Sequence, residues 1–215
     1  MRRGRRTPLL LAAVLAAVLV VGVAAGVVVG RVTAPASSDS STSTARGGPS
    51  AVDIGFSQDM AVHHQQALLM ATLAQTRARP AVRSIAEAIL GGQSQELGAF
   101  RGWLRLWGEP AVDPHPMMWM ANAPMSSHSM PGMATAQQLT HLAMRQGRSF
   151  DVLFLQLMIR HHQGGILMAD DARRHATLAP VRAAAAAVIA EQTEDLATMR
   201  ALLRADGGRQ LPAPG

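Results

Sequence analysis

The sequence predicts an all-α protein whose main domain is a four-helix bundle made of two duplicated helical hairpins. Three observations support this prediction. Hydrophobic residues make up 48% of the 215 residues and aromatic residues only 3%, and alanine and leucine, prominent among the apolar residues, are strong helix formers. The apolar residues fall on one face when they are placed at helical spacing. The same long helical pattern also occurs twice.

The repeat covers two consecutive helices in each half of the chain. In the first helix, eight residues recur 98 positions later. Asp53, Phe56, Met60, His63, His64, Gln65, Met70 and Ala71 correspond to Asp151, Phe154, Met158, His161, His162, Gln163, Met168 and Ala169. In the second helix the offset is 99, as for Gln93 and Gln192. The additional residue falls in the connecting turn, where insertions are tolerated, so a duplicated hairpin explains both offsets.

Local signals set the limits of each predicted helix. Pro80 and Pro180 mark the starts of the second and last helices, and Gly207 marks the end of the last one. A capping-box pattern begins at Thr135, and Ser149 is predicted to cap the long helix that follows. The predicted helices cover about residues 50–77, 80–107, 135–146, 149–175 and 180–207.

The N-terminus predicts export. Four arginines precede the apolar residues 9–29, a length that suits a spanning helix of roughly 20 residues better than the shorter core of a cleaved signal peptide. Residues 1–32 are therefore predicted to anchor the chain in the cell membrane, with the domain outside the cytoplasm. A cleaved signal peptide, giving a secreted protein, is the alternative. The Ser/Thr/Pro-rich residues 33–50 are predicted to be a flexible linker.

The remaining sequence divides into one domain and a short tail. Residues 51–207 are predicted to form the bundle, with hairpin one at 51–108, a Met/His-rich connector at 109–134 and hairpin two at 135–207. Residues 208–215 form the tail.

Composition excludes several classes of function. The net charge is +6, but four of the 20 arginines precede the apolar N-terminal segment. The charges of the other 16 are nearly balanced by 14 acidic residues. This near balance argues against a nucleic-acid partner. The absence of cysteine excludes disulfides and thiolate metal sites. Soft-metal chemistry would have to use the thioethers of the 13 methionines.

Two pairs of adjacent histidines lie at the edges of the predicted core-facing stripe, which is about 120° wide. Each pair can therefore meet partners on two neighbouring helices. Burying four imidazoles for packing alone is costly, because each ring has a polar nitrogen that needs a partner, whereas a metal would satisfy it. The candidate ligands are His63, His64, His161, His162, Met60, Met158, Met70, Met168, Asp53 and Asp151.

Each of these residue types also has a structural explanation. The histidines could be hydrogen-bonded core residues, and the methionines could fill the core. Asp53 and Asp151 could be ordinary helix-start residues. Gly164 and Gly165 leave space for a close helix approach or for an ion. The repeated polar pairs Gln93/Glu96 and Gln192/Asp195 could orient the imidazoles or form a polar seam.

The connector is rich in soft donors. A loop is expected to have no core to fill, so packing explains its methionines poorly. Thioether and imidazole together suit Cu(I) and Ag(I), whereas hard ions prefer oxygen ligands. An adaptable recognition surface, or a loop folded onto the helices, is the alternative. The candidate ligands here are His115, Met117, Met118, Met120, Met125, His128, Met130 and Met133.

The duplicated D-x-x-F-x-x-x-M-x-x-H-H-Q pattern, the Met-Ala that follows it and the M-P-G-M segment resemble the domain-of-unknown-function 305 family. The resemblance covers about residues 52–203. It implies a ferritin-like helical bundle and a relation to CopM-type exported copper-binding proteins. Residues 117–133 look like the methionine-bearing linker of that family. The residues that look like its motif are Met60, His63, His64, Met158, His161 and His162.

These features predict an exported, membrane-tethered protein that binds copper as Cu(I) or Cu(II) for sequestration or trafficking. Its expected partners are the membrane, the metal ion and a delivery protein of unknown identity. A metal-free helical interaction module is one alternative. A ferritin-like metallo-oxidase is another, but the chain lacks the Glu-x-x-His motif of di-iron bundles. We therefore expect a protein without catalytic residues.

Overall fold

The computed structural model describes residues 47–120 and 130–214. The predicted membrane anchor at 1–32, most of the predicted linker, and the candidate ligands Met125 and His128 lie outside the described residues. Within the part that is described, none of the helices has the length and apolar character needed to cross a membrane.

The described residues fold into five α-helices and contain no strand, which confirms the predicted all-α class. The helices are α1 (Ala51–Arg77), α2 (Pro80–Trp107), α3 (Ala136–Ala143), α4 (Gly147–His175) and α5 (Ala179–Ala205). Gly91 and Gly92 lie within α2 without interrupting it.

Most helix boundaries follow the sequence signals. Ser50 caps α1, and its hydroxyl oxygen accepts a bond from the Asp53 backbone N–H at 3.2 Å. The capping box predicted at Thr135 is present, with Gln138 as its partner. The cap predicted at Ser149 is wrong, because α4 begins at Gly147. The Ser149 hydroxyl instead donates a hydrogen bond to the Gln146 carbonyl at 2.9 Å, so it does not act as an acceptor for the helix start.

The four long helices pack as two hairpins against each other. Turns of two and three residues connect α1 to α2 and α4 to α5, which makes the helices of each hairpin antiparallel neighbours. Helix α1 also contacts α4, and α2 contacts α5, so each long helix packs against two others. The short α3 contacts α1 and α4.

Two apolar clusters fill the bundle. The first cluster includes Met60 of α1 and Met168 of α4, and the second cluster includes Met70 of α1 and Met158 of α4. This crossed pairing shows that α1 and α4 run in opposite directions. In both helices the histidine pair lies between the two methionines in sequence, so apolar clusters flank the histidines on both sides.

Candidate metal centre

The four predicted histidines converge inside the bundle. His63, His64, His161 and His162 are all 0% exposed to solvent. The His63 and His161 ring centroids lie 3.7 Å apart, with the ring planes 32° from parallel. The rings of His161 and His162 are 6.3 Å apart. The imidazoles of both hairpins therefore meet at one place, as the repeat predicted.

Backbone carbonyls determine the tautomer of the two central rings, those of His63 and His161. His63 Nε2 lies 3.2 Å from the Pro131 carbonyl oxygen, and His161 Nε2 lies 3.1 Å from the carbonyl oxygen of His63. A carbonyl oxygen only accepts hydrogen bonds, so Nε2 must carry the hydrogen in both rings. Nδ1 of each neutral ring then has a free lone pair.

Carboxylates from the second helix of each hairpin hold the other two rings. These two helices, α2 and α5, are called the outer helices below. His64 Nε2 lies 2.6 Å from Glu96 Oε2 on α2, and His162 Nε2 lies 3.1 Å from Asp195 Oδ2 on α5. Adjacent histidines thus find partners on two neighbouring helices, as their angular positions predicted. Of the two alternatives considered for Glu96 and Asp195, the structure supports the one in which they orient imidazoles.

The second ring nitrogen is unpartnered in all four histidines. Each Nδ1 is buried and has no hydrogen-bond partner among the described residues. An unsatisfied buried polar atom costs about 1–3 kcal/mol, so the arrangement is expensive in the absence of a bound ion. Metal-ligating histidines typically donate one ring N–H to a carboxylate or carbonyl and coordinate through the other nitrogen. All four imidazoles have this arrangement.

Burial keeps His63, His64 and His161 neutral, which is the protonation state of a ligand. Burial, reinforced by the charge of His64, lowers the pKa of His63 to about 3. Burial, reinforced by His162, lowers the pKa of His64 to about 3. Burial and the neighbouring histidines also hold the pKa of His161 well below its usual value.

The pKa of the carboxyl that binds His64 is shifted in the opposite direction. Burial raises the pKa of Glu96 to about 7; the charge of His162 opposes this shift and that of Asp195 adds to it. Glu96 and His64 are in direct contact.

A methionine precedes each histidine pair by about one helical turn. Met60 precedes His63 and His64 by three and four residues, and Met158 precedes His161 and His162 in the same way. Residues at this spacing are neighbours on a helix surface. All four candidate methionines in the helices, including Met70 and Met168, are 0% exposed. They pack in the two apolar clusters as the structural alternative expected, and Met60 and Met158 also lie within one turn of the histidines.

The two predicted aspartate ligands are at the ends of the bundle instead. Asp53 is ten residues before His63 in a continuous helix, which is about 15 Å along the axis. Its carboxylate accepts hydrogen bonds from Ser50, Thr177 and the Leu178 N–H. Asp151 accepts bonds from the Arg79 backbone N–H and side chain, the latter at 2.5 Å.

Each aspartate thus binds the chain at the start of the outer helix in the opposite hairpin, because Leu178 caps α5 and Arg79 caps α2. Burial acts to raise the pKa of Asp53, but its hydrogen bonds outweigh burial and the pKa lies below the usual value. The separation and these bonds remove both residues from the ligand set of the histidine site.

The first part of the connector packs into the core, which corrects the expectation that its methionines have no core to fill. Met117 is only 4% exposed and belongs to the first apolar cluster. Buried Asp59 holds it there, because Asp59 Oδ2 accepts bonds from the Met117 backbone N–H at 2.7 Å and from Trp119 Nε1 at 2.8 Å. Sequence reasoning missed Asp59, which lies outside the core-facing wedge.

The other connector residues differ in exposure. Met120 and Met130 are partly buried against the first cluster, whereas Met118 is 66% exposed. Met133 is partly buried and His115 is exposed. The exposed residues Met118 and His115 therefore do not form one set with the buried histidines. Met130 and Met133 flank Pro131, whose carbonyl contacts His63.

The end of the connector covers the histidines. The Gln66 side chain accepts from the Ala134 N–H at 2.6 Å and donates to its carbonyl at 3.0 Å. A Cβ at Gly164 would overlap the Pro131 carbonyl, and one at Gly165 would come within 2.5 Å of Gln192 Oε1. The space predicted beside these glycines is therefore occupied by connector backbone and by an amide.

Among the described residues, no three His, Asp or Glu side chains are grouped closely enough to hold a metal ion by themselves. A metal at this centre would need a pair of imidazoles supplemented by another donor, such as a thioether. Met60 and Met158 are the methionines that lie one turn from the imidazoles.

A comparison with protein families identifies the relatives of this bundle. A family model described as domain of unknown function (DUF305) matches residues 53–203. The chain belongs to the DUF305 family. The match includes both histidine pairs, both hairpins and the connector, so the DUF305 domain is the whole bundle described above. No curated protein matches the chain.

Solved structures of two DUF305 proteins and of CopM share the fold. A protein from Streptomyces coelicolor that is described as secreted is 34% identical, with a TM-score of 0.69 over 75% of this chain and 96% of that one. A fragment from Deinococcus radiodurans is 28% identical, with a TM-score of 0.61 over 74% and 99%. CopM in the Cu(II)-bound form is 25% identical, with a TM-score of 0.56 over 71% and 96%.

Proposed function

We propose that this DUF305 protein binds copper outside the cytoplasm, in a ferritin-like bundle tethered to the membrane by its N-terminal segment. Copper is the cargo, which the protein sequesters or passes to a partner. The observation that carries the proposal is the set of four buried imidazoles, each bound to oxygen through Nε2 and unpartnered at Nδ1. We propose a binding role rather than catalysis.

The donor chemistry favours copper over hard ions. Imidazole accepts Cu(I) and Cu(II), and thioether sulfur favours Cu(I). Met60 and Met158 add sulfur within one helical turn of the histidines. CopM, which is similar to this chain, has been solved in Cu(I)-bound, Cu(II)-bound and Ag-bound forms. The likeness to a DUF305 protein described as secreted supports a location outside the cytoplasm.

A competition titration with a chromophoric Cu(I) chelator tests the histidine site. The double variant His63→Asn/His161→Asn should bind Cu(I) at least about tenfold more weakly than the wild type, because loss of even a residue that supports a metal ligand typically costs about 10–100-fold in metal affinity. The matched control is His141→Asn/His175→Asn, which changes two exposed histidines. Equal affinities for both variants, with helical content retained, would reject the histidine site.

The assignment of Asp53 as a helix cap gives a second prediction. Asp53→Asn should lower the free energy of unfolding by about 2 kcal/mol, because an amide cannot accept all the bonds that the carboxylate accepts. Copper stoichiometry should not change, since Asp53 is far along the helix from the imidazoles. Denaturant unfolding and the same chelator competition measure the two effects. A loss of bound copper without a loss of stability would restore Asp53 as a ligand.

A further inference from the structure

An acidic cleft lies between the outer helices α2 and α5. Its volume is about 260 Å³. Four carboxylates line it, one from α2 and three from α5, and none of the described residues that line it is basic. These carboxylates are Glu96, Glu191, Glu194 and Asp195. Such a concentration of one charge attracts cations.

Two buried amides form a second and independent feature of the cleft. Gln93 and Gln192 line it, one from each helix, and they are 3% and 1% exposed. Within the part of the chain that the structure describes, neither the oxygen nor the nitrogen of either amide has a hydrogen-bond partner. Buried amides are normally paired, so four unpartnered atoms at one place indicate that a polar ligand belongs there. Amide oxygens are also common ligands of divalent cations.

The carboxylates of the cleft repel one another. Burial raises the pKa of Glu191, and the charges of Glu96 and Asp195 raise it further. A bound cation would relieve this repulsion. None of the four carboxylates forms an ion pair with an arginine among the described residues; Glu96 and Asp195 contact only His64 and His162.

We propose that the cleft between α2 and α5 binds a hydrated divalent cation of the Mg²⁺ or Mn²⁺ class, held by its carboxylates and by the oxygens of Gln93 and Gln192. The ion keeps most of its water, because no three of the acidic and histidine side chains in the described residues are grouped as direct ligands. Six waters occupy about 180 Å³ at liquid density, which the cleft can accommodate. Mg²⁺ typically retains several waters in protein sites.

This site differs from the proposed copper centre in chemistry and adjoins it in position. It offers oxygen where the histidine centre offers nitrogen and sulfur. The two touch through Glu96 and Asp195, which bind His64 and His162 from the side of the cleft. The inference does not depend on copper binding and can be tested with Mn²⁺ alone.

Electron paramagnetic resonance of free Mn²⁺, titrated with the full-length protein, measures binding directly. The test variant is Glu191→Gln/Glu194→Gln, which changes two exposed carboxylates that do not contact the histidines. The control variant is Glu87→Gln/Glu109→Gln, which changes the net charge equally outside the cleft. We expect the wild type and the control to bind one Mn²⁺ with equal affinity, and the cleft variant to bind at least about fivefold more weakly.

A further variant separates the amides from general electrostatics. Gln93→Leu/Gln192→Leu leaves every carboxylate in place. We expect it to weaken Mn²⁺ binding, because the amide oxygens hold the ion. An unchanged affinity would overturn the role of the amides. Mg²⁺ should displace Mn²⁺ from the wild type. Absence of Mn²⁺ binding, or equal weakening in the cleft and control variants, would overturn the proposal. The Cu(I) competition of the histidine variants is a separate measurement, so either proposal can fail alone.

Discussion

Lowering the pH of the metal-free protein from 7 to 5 is expected to reduce its free energy of unfolding by about 2 kcal/mol through His63, and His161 adds to this loss. Both rings are completely buried, and burial lowers the pKa of His63 from 6.5 to about 3 and that of His161 well below 6.5. Below pH 6.5 the unfolded chain binds protons that the folded chain does not bind. Stability is therefore complete above pH 6.5 and is lost as the pH falls towards the folded-state values.

The magnitude follows from the distance between the pH and the unfolded-state pKa. At pH 5 the pH is about 1.5 units below the unfolded-state pKa of His63, which corresponds to about 2 kcal/mol. The His64–Glu96 pair contributes little to this loss of stability. Burial raises the pKa of Glu96 to about 7, so protonation of this carboxyl stabilises the fold as the pH falls and offsets the cost at His64.

Denaturant unfolding at several pH values between 7 and 5 tests this prediction. The comparison is with His63→Gln/His161→Gln, which removes both titrating rings and keeps hydrogen-bonding side chains. The double variant should have a much shallower pH dependence, whatever its stability at pH 7. An identical slope in both proteins would show that these imidazoles are not the source of the acid sensitivity.

Replacing Gly164 with alanine is expected to destabilise the fold by about 2–3 kcal/mol, the upper part of the range for inserting one methyl group into a packed region. The new Cβ would overlap the carbonyl of Pro131, which is backbone and not the end of a flexible side chain. The connector cannot shift easily, because Gly132 lies against the backbone of α4. Displacing it would also break the contact between Pro131 and His63.

Gly91→Ala is the matched control, and it should change the free energy of unfolding in the opposite direction. Gly91 is an exposed residue within α2, and nothing lies within 4 Å of a Cβ placed there. Alanine is better than glycine in a helix interior by about 0.8–1.0 kcal/mol, so this variant should be stabilised. Thermal and denaturant unfolding of the two variants compare the same change in two environments. Equal shifts would show that connector packing at Gly164 is unimportant.

Helical periodicity and the repeat predicted the hairpins and the convergence of the histidines, because both depend on regular spacing. The angular positions of His63 and His64 even indicated that adjacent rings face different helices, which the contacts with His161 and Glu96 confirm. The limits of four helices were also predicted to within a few residues. The short α3 ends at Ala143, three residues earlier than expected.

The path of the connector could not be predicted, since no periodicity determines where a loop lies. Asp59 and Gln66 hold its two ends, but a lone polar residue at the edge of a helical stripe usually indicates solvent exposure. For the same reason Met117 was interpreted as a loop ligand, although it is part of the core. The acidic cleft required knowing that α2 and α5 are neighbours, which brings Gln93 and Gln192 together.

The carbonyl of Pro131 reaches only one of the two equivalent central histidines. His63 donates to the connector, whereas His161 donates to the backbone of α1. In a dimer of identical hairpins, every mutation would act on both halves at once. Fusion of the two copies in one gene allows a change near residues 130–133 to act on one half alone. Substitutions in the connector could therefore change the surroundings of His63 while those of His161 stayed the same.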